Sequence, residues 1–114
     1  MEYVKVGEMV RLALDEQEFD NMQQFYHEDY MYLRETEMLT FEDFRQSLID
    51  DFASGKVTSS NRKTLHEDYL SCSFSHRITF NEAYRGYPAG TSFEVRVMSL
   101  KKDGLVWRQV ISFN

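Results

Sequence analysis

A histidine in an otherwise apolar strand pattern is the first candidate for chemistry. His76 lies between Phe74 and Ile78 on the apolar face of an alternating segment at residues 69–80. A histidine that faces a cavity can act as a general acid or base near neutral pH. A histidine packed in a core is neutral and needs only one hydrogen bond. Both interpretations of His76 stay open.

The last apolar segment, residues 105–113, carries a second pair of candidates. Trp107 and Gln109 share the majority-apolar face of this predicted strand. Gln109 either projects into a pocket or serves a buried hydrogen bond. Trp107 either lines the same pocket or packs in the core, because a large aromatic ring dominates burial wherever it lies. We predict that both residues bind ligand together with Phe74.

Three tyrosines and an aspartate cluster where a short helical segment is predicted to give way to a strand. Tyrosine hydroxyls can donate to a developing enolate oxygen, but the same residues can equally pack as an amphipathic rim. Asp29 either takes part in proton transfer or has a structural role near the helix end. The candidate catalytic residues are His76, Tyr26 and Asp29, and the candidate ligand-binding residues are Tyr30, Tyr32, Trp107, Gln109 and Phe74.

Other kinds of site have little support in the sequence. Three His and one Cys form no Cys-x-x-Cys or His-Glu-x-x-His spacing, and no glycine-rich phosphate loop is present. We therefore predict no metal and no cofactor. Cys72 has apolar neighbours at alternate positions, which indicates a small core residue. A single cysteine is compatible with a reducing compartment.

Composition and charge exclude several classes of protein. A hydrophobic fraction of 42% is too high for a disordered chain, and no run of apolar residues is long enough to cross a membrane. No export signal is visible, so we expect a cytoplasmic location. The net charge is −6, and residues 1–57 hold 14 acidic against 5 basic side chains. Because nucleic-acid binding requires clustered Lys and Arg, we expect no nucleic-acid partner.

The period of the apolar residues changes from helical to strand-like along the chain. Helical spacing covers residues 6–14 and 19–26, and Thr40 with Asp43 resembles a capping box before a third helix that Gly55 ends. The second half alternates strictly. Its predicted strands lie at 56–65, 69–80, 91–100 and 105–113, with a turn at 66–68 and an Asp-Gly hairpin signal at 103–104. Helices followed by an antiparallel meander predict one α+β domain over residues 1–114.

Two segments carry a family resemblance. Residues 12–33, LALDEQEFDNMQQFYHEDYMYL, contain two helical patterns and a Tyr-x-x-Asp ending, and residues 87–110, YPAGTSFEVRVMSLKKDGLVWRQV, contain a Pro-x-Gly entry and a Lys-x-Asp-Gly turn. Their order, with the helix at 40–54, resembles SnoaL-like domains of the nuclear-transport-factor-two superfamily. The resemblance implies a cone-shaped roll, with N-terminal helices packed in the concave face of a curved, mainly antiparallel sheet. It also implies an enclosed pocket with the tyrosines near its mouth.

The chain departs from the catalytic sets of two related enzyme classes. Ketosteroid isomerases of this superfamily place a catalytic Asp in the strand after the second helix, where this chain has Leu33-Arg34-Glu35. Epoxide hydrolases use an Arg-x-Asp pair, where this chain has Glu94 and Arg96 in the reverse order. Neither catalytic set carries over to this sequence.

Two functions remain open. One is an isomerase or cyclase type of enzyme that moves a proton next to a carbonyl in a hydrophobic small molecule, with His76 as acid or base and Tyr26 or Tyr30 stabilising the oxyanion. The other is a non-catalytic binding or dimerisation module of the same fold. Val106 and Val110, opposite Trp107, indicate a second apolar surface. In either case the resemblance implies a homodimer formed through the sheet.

Overall fold

The computed structural model describes residues 2–113, and its N-terminal region is helical as the apolar spacing predicts. Helix α1, Val6–Val10, continues as a π-helical turn at Arg11–Asp15, and a 3-10 helix follows at Phe19–Phe25. The second helical segment ends one residue earlier than predicted, because Tyr26 already has extended backbone and begins the first strand. Among the described residues, none of the helices has the length and apolar character needed to cross a membrane.

Helix α2, Phe41–Leu48, begins where the sequence predicts. The Thr40 hydroxyl accepts a hydrogen bond of 3.3 Å from the backbone N–H of Asp43, which satisfies one free donor of the first turn. The helix continues as a π-helical turn at Ile49–Ala53 and stops before Gly55, whose φ is 81°. Glycine adopts this left-handed conformation without steric cost. The predicted start and end of this helix are therefore confirmed.

Six strands form one curved, open sheet in the order β2-β1-β6-β5-β4-β3. The strands are β1 Tyr26–Arg34, β2 Glu37–Thr40, β3 Val57–Glu67, β4 Ser71–Phe80, β5 Ser92–Lys102 and β6 Leu105–Phe113. Every neighbouring pair is antiparallel except β1 and β6, which are parallel. The predicted fold class is confirmed, and the helices pack in the concave face of the sheet. The turn predicted at 66–68 lies about two residues later.

The hairpin between β5 and β6 has the two-residue turn that Asp-Gly predicts. Asp103 and Gly104 have φ of 56° and 78°, the left-handed pair that suits strands of right-handed twist. A Cβ on Gly104 would lie 2.6 Å from the carbonyl oxygen of Glu2, so the N-terminal segment packs directly on this turn. The glycine is needed both for its backbone angle and for this close approach.

A β-bulge near the start of β6 changes which residues face the concave side. Trp107 is the extra residue, since its neighbours Val106 and Arg108 pair with consecutive residues of β5. Val106 is consequently fully buried, although the alternation predicts it on the outer face. Val110 remains on the outer face and is 46% exposed. The expected second apolar surface therefore includes Val110 but excludes Val106.

Candidate functional site

A cavity of about 320 Å³ lies between the concave face of the sheet and the helices. Apolar side chains form most of its wall. They include Met9, Val10, Phe44, Leu48, Phe74, Ile78, Phe93 and Val97. The uncharged polar residues in the wall are few, namely Tyr26, Tyr32, Ser47, His76, Tyr87 and Gln109. A largely apolar cavity with a small number of polar groups is the usual form of a small-molecule site.

His76 projects from β4 into this cavity, and its ring is buried. Nδ1 lies 2.7 Å from the hydroxyl oxygen of Ser59 on the neighbouring strand β3. Burial lowers the pKa of His76 from 6.5 to about 4, with a smaller contribution from the positive charge of Arg62. The imidazole is therefore neutral at neutral pH. Because Nδ1 is engaged by Ser59, Nε2 is the nitrogen left for a ligand.

Three tyrosines of β1 lie inside the roll rather than at its mouth. Tyr26, Tyr30 and Tyr32 are all buried, and the rings of Tyr26 and Tyr30 meet edge to face with centroids 4.7 Å apart. Burial raises the pKa of all three phenols, that of Tyr32 to about 12. Each hydroxyl therefore keeps its proton at neutral pH. Tyr26 and Tyr32 line the cavity, whereas Tyr30 lies behind its wall.

Gln109 lines the cavity from β6 and is held on both sides. Its Oε1 accepts a 2.6 Å hydrogen bond from the Tyr30 hydroxyl on β1, and its Nε2 donates to the Ser99 hydroxyl oxygen on β5 at 3.0 Å. All three side chains are buried. Gln109 thus has both of the properties that the sequence leaves as alternatives, since it faces the cavity and also serves a buried network.

The cavity also has charged lining residues, namely Arg34, Glu35, Glu37, Asp51 and Arg85. Glu35, Glu37 and Arg85 are exposed, so the cavity opens to solvent beside them. Asp51, after α2, accepts hydrogen bonds from the Tyr84 hydroxyl at 2.8 Å and from the Arg85 guanidinium at 3.0 Å. Both donors belong to the loop between β4 and β5. These contacts tie the loop to the helix beside the opening.

Five of the eight predicted site residues meet at the cavity. They are His76, Tyr26, Tyr32, Gln109 and Phe74. Asp29 lies elsewhere, with 64% of its side chain exposed, and its carbonyl oxygen accepts a hydrogen bond from Arg108. Trp107 is also outside the cavity wall, because the bulge turns it toward Arg108, whose guanidinium lies 4.1 Å from the ring centroid. Tyr30 does not line the cavity, but it contacts residues that do, Tyr26 through its ring and Gln109 through its hydroxyl.

Three residues at the site were not predicted from the sequence. Ser59, Asp51 and Arg85 form the polar contacts described above. Ser59 carries a faint signal, since it lies in a strand predicted to pair with the strand of His76. Asp51 and Arg85 are 34 residues apart and no local pattern joins them. Within residues 2–113, no group of three His, Cys, Asp or Glu side chains is arranged to hold a metal ion.

Comparison by sequence finds no matching family model and no matching curated protein. Comparison by structure finds many similar folds. A SnoaL-like polyketide cyclase from Agrobacterium tumefaciens matches with a TM-score of 0.68 and 14% identity, covering 90% of this chain and 83% of that one. An NTF2-like protein of unknown function from Cytophaga hutchinsonii has the same TM-score and identity, with 96% and 86% covered.

A designed protein belongs to the same group of matches. This de novo protein with a curved β-sheet also has a TM-score of 0.68 and 14% identity, covering 96% of this chain and 81% of that one. Identities this low show the fold alone. The roll that the sequence resemblance implies is thereby confirmed, but activity has to be argued from the site.

Proposed function

We propose, from the premise that this chain has the nuclear-transport-factor-two-like fold, that it binds a hydrophobic small molecule in the cavity and moves a proton next to its carbonyl group. The observation that carries this proposal is the buried His76 ring, which is neutral, hydrogen-bonded at Nδ1 and placed in the wall of a largely apolar cavity. A structural histidine needs only the Ser59 contact. Because the cavity lies beside His76, its second ring nitrogen, Nε2, is free to exchange a proton with a bound ligand.

His76 is the proton-transfer group in this mechanism. When Ser59 accepts a hydrogen bond from Nδ1–H, Nε2 carries the lone pair that faces the cavity. Nε2 takes a proton from the carbon next to the carbonyl, the electron pair of the broken C–H bond forms a carbon–carbon double bond, and the π pair of the carbonyl moves onto oxygen to give an enolate. In a substrate with a second double bond beyond that carbon, return of the proton from Nε2 to the far end of that bond completes an isomerisation. The net reaction needs no external acid, base or oxidant.

The tyrosines stabilise the enolate oxygen. A base with a pKa of about 4 is weak, so the reaction depends on donors that strengthen their hydrogen bonds as charge develops on oxygen. Tyr26 and Tyr32 line the cavity and keep their protons at neutral pH. Tyr30, which the sequence also predicts as a donor to the enolate oxygen, lies behind the cavity wall and donates instead to Gln109. Asp29 is exposed and has no part in the step.

Hydrogen–deuterium exchange tests the chemistry without knowledge of the natural substrate. The probe is α-tetralone in heavy water, and proton NMR follows deuterium uptake at the carbon next to the carbonyl. We expect the wild-type protein to accelerate uptake, and His76→Gln to lose about 100-fold or more of that acceleration. The matched control is His66→Gln, because His66 is exposed and outside the cavity.

Binding is measured separately so that the two open functions can be told apart. A titration of amide NMR shifts with tetralin, the parent hydrocarbon, reports whether a bicyclic apolar molecule enters the cavity. Ile78→Phe, which narrows the cavity, should weaken binding, whereas Arg77→Phe on the exposed side of the same strand should not. Binding without any accelerated exchange would support the non-catalytic module instead of the enzyme.

A homodimer through the outer face of the sheet is the second part of the proposal. Four apolar residues pair across neighbouring strands on this face, and we call them the outer row. They are Met38, Leu33, Val110 and Met98. Three of them are large exposed hydrophobics, and a row four strands wide spans roughly 14 Å. A two-fold axis would lay the row against its own copy.

The proposed setting is a reducing cytoplasm, where Cys72 stays a thiol.

A further inference from the structure

Polar side chains occupy one register position on the concave face of the sheet. Cross-strand pairing runs from β3 through β4, β5 and β6 to β1, and we call this set the inner row. Its members are Glu67, Cys72, Ser99, Gln109 and Tyr32. Cross-strand partners have Cβ atoms about 4.5–5.5 Å apart, so each side chain is within reach of the next. Apart from Glu67, all of them are buried.

Glu67 anchors one end of the inner row. Its Oε2 accepts a 2.6 Å hydrogen bond from the ammonium group of Lys101, whose side chain has no exposed surface. Its Oε1 accepts a second bond, also 2.6 Å, from the backbone N–H of Val6 at the start of α1. Two donors therefore hold the Glu67 carboxylate, one on each oxygen.

The orientation of the Gln109 carboxamide follows from its two side-chain contacts. Its Nε2 donates to the Ser99 hydroxyl oxygen at 3.0 Å, and its Oε1 accepts from the Tyr30 hydroxyl at 2.6 Å. The carboxamide is thus oriented with Nε2 toward β5 and Oε1 toward Tyr30 on β1. No buried side-chain nitrogen or oxygen among residues 2–113 lacks a partner.

A carboxamide has two N–H donors and two oxygen lone pairs. Tyr30 and Ser99 use one lone pair and one N–H of Gln109, so one donor and one acceptor remain on the edge of the amide. Gln109 lines the cavity, and the free edge is available to a ligand there. The fixed orientation means that donor and acceptor cannot exchange places without breaking both contacts.

We propose that Gln109 is a specificity-determining residue that presents one donor and one acceptor side by side to the ligand, and that Tyr30 and Ser99 are the positioning residues that fix their order. The ligand class that fits is a hydrophobic ring system with an adjacent hydrogen-bond acceptor and donor, such as a lactam, a carboxamide or the enol form of a diketone. The inference rests on the proposed function only in taking the cavity as the ligand site.

Three isosteric probes test this proposal. Dihydroisocarbostyril is a bicyclic lactam with both a donor and an acceptor, α-tetralone keeps only the acceptor, and tetralin has neither. Dissociation constants come from the titration of amide NMR shifts. We expect the lactam to bind about tenfold more tightly than the ketone, and the ketone more tightly than the hydrocarbon, because each satisfied hydrogen bond adds a modest net gain.

Variants of the network assign the preference to Gln109. Gln109→Leu should bring the lactam and ketone affinities to within about twofold of each other while tetralin still binds. Tyr30→Phe removes only the hydroxyl that holds Oε1 and should reduce the lactam preference several-fold, whereas Tyr69→Phe, outside the cavity wall, should leave it unchanged. Ser99→Ala is a second way to free the amide, should Tyr30→Phe fail to fold.

The outcomes separate this inference from the proposed function. If none of the probes binds, the cavity is not a ligand site and the proposed function fails with it. If tetralin binds but the lactam has no advantage over the ketone, or if the advantage survives Gln109→Leu, the role assigned to Gln109 is overturned and the binding proposal stands. The comparison of α-tetralone exchange between the wild-type protein and His76→Gln tests the role of His76 separately.

Discussion

The two faces of the sheet carry opposite patterns at neighbouring register positions. The inner row is mostly polar and buried, whereas the outer row, one residue further along each of three strands, is apolar and largely exposed. Ser99 and Met98 show the contrast directly, since they are adjacent in β5 and are 3% and 59% exposed. An ordinary antiparallel sheet with one wet face has the reverse distribution, apolar inside and polar outside.

The difference indicates what each face is for. Burying polar groups is costly unless every one is hydrogen-bonded, so a satisfied polar row inside the roll points to a constraint beyond stability, namely the orientation of a group in the cavity. Exposed apolar side chains that form a contiguous strip point to cover by another molecule.

Removing the anchor of the inner row should have the largest effect. Glu67→Ala leaves the Lys101 ammonium buried without a partner, and we expect the free energy of unfolding to fall by roughly 3 kcal/mol. Urea unfolding measures the change. Glu94→Ala, on the exposed side of β5, should change it by less than about 0.5 kcal/mol. Equal losses in the two variants would mean that Glu67 anchors nothing.

Acid should destabilise the fold through His76. The pKa of His76 is about 4 in the folded chain, whereas a histidine in the unfolded chain has the usual pKa of 6.5. Between these two pH values the unfolded chain therefore binds more protons than the folded one. Stability therefore falls as the pH drops from 6.5 to 4, by up to about 3 kcal/mol. His76→Gln should remove this part of the pH dependence, measured as the difference from the wild type at each pH.

A charge on the outer face should dissociate the proposed dimer. Val110→Lys or Met98→Lys places an ammonium group in the apolar contact, and we expect the dimer dissociation constant to rise at least about tenfold. Sedimentation velocity over a range of concentrations measures it. Ser92→Lys adds the same charge at an exposed position of β5 outside the outer row. A wild-type protein that is monomeric at every concentration would refute the dimer.

The adjacent pair in β5 gives the finest comparison. Ser99→Ala removes the acceptor of Gln109 and should lower the free energy of unfolding by about 1–2 kcal/mol. Met98→Ala should change it by no more than about 0.5 kcal/mol when the protein is dilute enough to be monomeric. Thermal or urea unfolding of both variants decides the matter. A larger loss from Met98→Ala would show that the outer face stabilises the monomer itself.

Several elements were predictable because their signals are local. The capping pair at Thr40 and Asp43, the positive φ at Gly55 and the turn at Asp103 and Gly104 depend on neighbours within a few residues, and all three are confirmed. The burial of His76 also follows from a local period, since alternating residues of β4 share one face. The same periods gave the fold class and the order of the elements.

The composition of the cavity depended on the tertiary structure. Tyr30 meets Gln109, 79 residues away, only because β1 lies parallel to β6, and no period in the sequence encodes that pairing. The single extra residue at Trp107 shifts the alternation of β6, which turns Val106 inward and keeps Trp107 out of the site. The sequence by itself determined the helices and the four strands of its second half, because these follow from residue spacing and turn chemistry, whereas the roll was implied by the family resemblance and β2 was not predicted. Which polar groups share the cavity was decided by strand order and register, which link residues far apart in the chain.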